Sequence, residues 1–89
     1  MTNLDEIFHL PDLRFVQFCE EKFALNKGIY NTIDNYFFEL GVHDIIKRRR
    51  LIFQFSLQYC AVGKKFGPGG LTRKLEDFME QKSGLLQVN

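Results

Sequence analysis

The chain has no tryptophan, and only two cysteines and two prolines among its 89 residues. Two cysteines cannot build the multi-bridge framework that staples small secreted domains. Cys19 and Cys60 lie in FVQFCEEKF and SLQYCAVG, where a reduced thiol behaves as a small hydrophobe. The shortage of proline and the lack of low-complexity tracts exclude a disordered chain. No apolar run approaches the ~18 residues that span a bilayer, so no transmembrane segment is expected. The opening MTNLDEIFHL carries acids and no basic residue, unlike a secretory signal. An intracellular protein, cytoplasmic or nuclear, is the expectation.

Frames for catalysis are missing too. The two histidines, His9 and His43, stand in no metal-ligand spacing with the cysteines. Glu20-Glu21 and Glu76-Asp77 are adjacent acids whose side chains diverge on a helix, which reads as solvated surface rather than acid–base pairs. The sequence therefore predicts a non-enzymatic protein without cofactor or metal.

Large apolar groups are abundant, with ten phenylalanines and three tyrosines. A chain this short buries only about 60–65% of the surface its unfolded form exposes, so a phenylalanine-rich core suits it. TNLDEIF predicts a short first helix, capped by Thr2 or Asn3 and ended before Leu10-Pro11. A second follows Pro11, with Phe15, Val16, Cys19 and Phe23 at helical spacing and a stop at Gly28. IYNTIDNYFFELG predicts a third, with Ile29, Tyr30, Ile33, Tyr36, Phe37 and Leu40 on one face and Gly41 as terminator. The last, LTRKLEDFMEQKSG, places Leu71, Leu75, Phe78 and Met79 together and stops near Gly84.

The segment between is ambiguous. Leu51, Phe53, Phe55, Leu57 and Tyr59 alternate with Gln54, Ser56 and Gln58, the period of a half-buried strand. A lone strand lacks a partner, however, and Asp44 and Gly63 would cap a helix. Read as a helix, the segment has a broad face of Ile46, Phe53, Leu57 and Cys60 and suits the middle of a bundle. The predicted fold is all-α, a small compact bundle of four helices plus a short N-terminal helix in one domain over residues 1–89. An α+β fold with a strand at 51–59, shared between copies, is the alternative.

Charge is segregated along the chain. The net charge of +1 is the sum of −4 over residues 1–41, +7 over 42–74 and −2 over 75–89. The basic stretch holds Lys47, Arg48, Arg49, Arg50, Lys64, Lys65, Arg73 and Lys74 against Asp44 alone. Arginine forks suit phosphate oxygens, and such a cluster predicts salt-sensitive, weakly selective binding to nucleic acid, DNA or RNA. In KKFGPGGLTRK, Gly67, Gly69 and Gly70 could shape a loop whose backbone N–H groups face an anion beside these cations. The plainer reading is that the glycines form an interhelix turn and the cations are solvated surface, or pair with the acidic first half. Phe66 reads as a plug anchoring that turn. A rival function is a protein-interaction module, adaptor or inhibitor, that captures an acidic protein surface or self-associates as a homodimer. FELGVHDIIKRRRLIF resembles the end of a sterile-alpha-motif domain, which implies protein or RNA binding, and FGPGGL resembles the glycine turn of a helix-hairpin-helix. Each resemblance is confined to its own segment and assigns no family.

Overall fold

A computed structural model describes residues 4–60, 66 and 69–87. They form α1 (Leu4–Phe8), α2 (Asp12–Phe23), α3 (Lys27–Glu39), α4 (Ile45–Tyr59) and α5 (Gly70–Gln87). No strand occurs among the described residues, so the all-α bundle stands and the alternative strand at 51–59 is corrected to helix. Packing explains the deceptive alternation. α4 lies against each of α1, α2, α3 and α5, so it must be apolar on most of its circumference. Its buried residues are Arg49, Ile52, Phe53, Phe55 and Ser56. Leu57, expected on the inner face, is instead 58% exposed.

Local chemistry sets most helix ends. Asp44 caps α4, its carboxylate accepting the Lys47 N–H at 3.0 Å. Asn26 caps α3 in the same way, accepting the Ile29 N–H at 2.8 Å. Gly41, at φ 101°, takes the left-handed conformation that ends α3. Pro11 sits just before α2 at the capping position. The stop foreseen for α2 at Gly28 is a correction. α2 ends at Phe23, Ala24 takes a left-handed φ of 55°, and Gly28 lies within α3. Ala24 bears a strain of about 1–2 kcal/mol there, and the buried side chains of Phe23 and Leu25 on either side offset it. Gly84 likewise does not end the last helix, which runs on to Gln87. One glycine costs a helix about 1 kcal/mol and does not by itself terminate it. The expected caps at Thr2 and Asn3 lie outside the described residues.

Phe15, Ile33, Phe37, Ile52, Phe55 and Leu75 are fully buried and tie the helices together. α5 docks through Leu75 and through Phe78, whose ring meets Phe55 edge-on at 5.6 Å and Phe37 at 6.0 Å. Phe53 makes edge-to-face contacts with Phe8 at 5.6 Å and Phe23 at 5.4 Å. Edge-to-face pairs of this kind add about 0.5–1.5 kcal/mol each beyond area burial. Cys19 and Cys60 are both buried and free. Burial pushes the Cys19 thiol up to about 12 and raises that of Cys60 as well, so both remain neutral packing groups.

Candidate nucleic-acid interface

The four consecutive cations at the start of α4 point in different directions, as four consecutive helical residues must. Lys47 is exposed, and no ion pair involves it among the described residues. The three arginines each reach a different helix. Arg48 donates from Nε to Asp34 of α3 at 2.6 Å, and its guanidinium lies 5.4 Å from the ring centre of Phe38. Arg49 pairs with Asp12 of α2 and lies 4.8 Å from the Phe15 ring. Arg50 meets Asp5 of α1 at 3.2 Å and lies 5.3 Å from the Phe8 ring. Every arginine thus has a carboxylate and an aromatic ring from one helix, the two spaced three or four residues apart so that they share a face.

Burial separates the roles of these pairs. Arg49 is only 5% exposed, and its Nη1 also donates to the carbonyls of Phe8 at 2.9 Å and Leu10 at 2.6 Å. It fastens the α1–α2 corner onto α4, where the chain's own helical bonds leave carbonyls without donors. Arg48 closes the α3–α4 turn by donating to the Val42 carbonyl at 3.1 Å and the His43 carbonyl at 3.4 Å. Arg50 is half exposed, and its pair belongs to the surface class worth about 0–1 kcal/mol. Among the described cations, Arg48 and Arg49 are therefore committed to the fold rather than to an exposed cluster.

Besides Ile45 at its first turn, the exposed residues of α4 form a stripe of Lys47, Arg50, Gln54, Leu57 and Gln58. At about 1.5 Å per residue it runs for about 16 Å. Its far end meets α5. Gln58 Nε2 donates to Gln81 Oε1 at 3.0 Å, and the Tyr59 hydroxyl accepts from Gln58 and Gln81, each at 3.2 Å. Lys74 Nζ lies 5.7 Å from the Tyr59 ring centre, which brings one cation of α5 to that end of the stripe. Arg73 is exposed on the same first turn of α5. Glu76, Asp77 and Glu80 follow it on the surface, so the turns of α5 after its first carry more acids than bases, with Lys82 the base among them.

Of the loop-shaping glycines, Gly69 has a left-handed φ of 73° and Gly70 begins α5. Phe66 is partly buried against the core, in keeping with a plug. Lys64, Lys65 and Gly67 lie outside the described residues. Sequence reasoning did not identify Asp5, Asp12 and Asp34 as partners of the arginines, although the acidic balance of the first half pointed toward them. It also overlooked Phe38, which was hidden among the apolar residues of α3.

No protein-family model matches the chain, and no solved structure matches it. The chain is similar to a Bacillus subtilis protein named RNA-binding riboflavin kinase RibR. Identity is 38% over an alignment of 82 residues, which covers 80% of this chain and 34% of the relative's length. The expectation of a non-enzymatic protein is corrected by this match, since the similar protein is named as an enzyme. Missing catalytic motifs are a weak guide when a chain spans only part of a longer relative.

Proposed function

We propose that this chain binds RNA, with the solvent stripe of α4 and the first turn of α5 carrying the electrostatic contact. Similarity to a protein named as RNA-binding is the observation that carries the reading. The exposed positions of Lys47, Arg50, Arg73 and Lys74 support the choice of surface. Lys64 and Lys65 belong to the same proposal by their place in the sequence, between α4 and α5. Arg48 and Arg49 serve it indirectly, by holding α4 in place.

Three or so phosphate contacts along such a stripe give a salt slope of about −2 for a single strand, so affinity falls about 20-fold between about 50 and 200 mM salt. Fluorescence anisotropy with a labelled RNA oligonucleotide measures this directly. Failure to bind any RNA at the lower salt ends the proposal. Riboflavin phosphorylation by ATP in the presence of the chain tests whether it shares the kinase activity named for that relative.

A further inference from the structure

Phe38 and His43 occupy the other end of the α4 stripe from Lys74. Phe38, at the end of α3, keeps 46% of its surface exposed although it is one of the largest apolar side chains present. Its ring centre lies 4.5 Å from that of His43, which is itself exposed, and the two planes are 37° apart. The corner that carries them is fixed on several sides. Gly41 turns the chain, the Val42 N–H donates to the Phe37 carbonyl at 3.1 Å, and Arg48 donates to the carbonyls of Val42 and His43. The Arg48 guanidinium also lies against the Phe38 ring. Lys47 stands on α4 about one turn beyond His43.

We propose that Phe38 and His43 form a stacking platform for an unpaired RNA base, so that the chain favours single-stranded or looped RNA over duplex. The inference rests on the RNA-binding reading and narrows it to a class of RNA. Non-selective single-strand sites combine a positively charged track with exposed aromatic faces, because every base offers a π-face to stack on. A regular RNA duplex keeps its bases stacked on one another and offers none to the ring. The acids nearby do not oppose this arrangement strongly. Asp44 is held by its capping bond and Asp34 by Arg48, and Glu39, next to Phe38 in the chain, is an exposed acid. Stacking, unlike phosphate contact, is insensitive to salt, which separates the platform from the stripe.

Two variants of the full chain test the proposal. Phe38→Ala removes a half-exposed ring and leaves the core alone. It should weaken binding to an unpaired oligonucleotide about tenfold, with the salt slope unchanged and with little effect on a matched duplex. Phe38→Trp introduces an indole into a chain that has no tryptophan. Its fluorescence should be quenched by the single strand and not by the duplex. If the wild-type chain binds RNA and Phe38→Ala binds equally well, the platform is overturned while the RNA reading survives. If no RNA binds at low salt, both fall. A Phe38→Ala chain that keeps its RNA affinity but loses a dimer in light scattering assigns this corner to a second copy instead, which also overturns the platform.

Discussion

Arg49 on α4 and Lys74 on α5 come from the same basic stretch and carry the same charge. Arg49 is buried among two carbonyls, a carboxylate and a phenylalanine ring, while Lys74 is exposed beside a tyrosine. The difference arises from what each helix packs against. α4 lies against all three helices of the acidic first half, and each of those presents an aspartate and a phenylalanine on one face. α5 reaches α4 through apolar groups and the hydrogen bonds of Gln81, and no ion pair holds Arg73 or Lys74 among the described residues. A basic run in a sequence is therefore a surface feature only where no acidic helix packs over it.

The largest test of this contrast is Arg49→Met. Methionine fills part of the arginine's volume but leaves the Phe8 and Leu10 carbonyls without their donor. The expected loss is about 3 kcal/mol in urea unfolding, a large share of the ~5–10 kcal/mol typical of so small a domain. Asp12 regains water in the variant, since its side chain is 82% exposed, so the cost falls mainly on the carbonyls. The salt slope for RNA should stay as in the wild type. A loss below about 1 kcal/mol would show that Arg49 does not fasten the corner.

The converse test is Arg73→Gln combined with Lys74→Gln. Stability should stay within about 0.5 kcal/mol, since both side chains lie on the surface. The salt slope for single-stranded RNA should flatten by about 1.4, corresponding to two phosphate contacts. If the slope is unchanged, the start of α5 lies outside the RNA contact, and the stripe on α4 has to account for it alone.

The same contrast explains how far the sequence could be read. Helical spacing and the Gly41 stop marked the body and end of α3, although it begins at Lys27 and Leu40, expected on its inner face, is 51% exposed. An enclosed helix was the right reading of residues 45–59 because α4 touches every other helix. The end of α2 was illegible, since Ala24 adopts a left-handed conformation for the sake of Phe23 and Leu25 on either side, and alanine gives no sign of this. The opposition of acidic and basic segments was visible, but which arginine met which aspartate was not. That pairing depends on the angles at which α1, α2 and α3 approach α4, and these are set by the phenylalanine core rather than by charge. Phe38 was hard to single out because one helix turn carries both it and the fully buried Phe37, and only packing tells them apart.

The smallest effect concerns how α4 begins. The exposed Asp44 carboxylate is held below its usual 3.8, first by the hydrogen bond from the Lys47 N–H, then by the Ile46 N–H and the charges of Lys47 and Arg48, against an opposing desolvation. A depressed folded value means that this carboxylate favours the folded chain fully above the unfolded value of about 3.9, and that its contribution is lost as pH falls through the lower folded value. Asp44→Asn keeps an oxygen that can accept the capping bond but has nothing to titrate. The wild type should therefore melt above Asp44→Asn near neutral pH, and the gap should close as the solution is acidified below about pH 4. Thermal midpoints of both proteins across that range measure the closing. A gap that stays constant into acid would mean that the first turn of α4 is held by its packing, and by the arginines that follow, rather than by the charge of its cap.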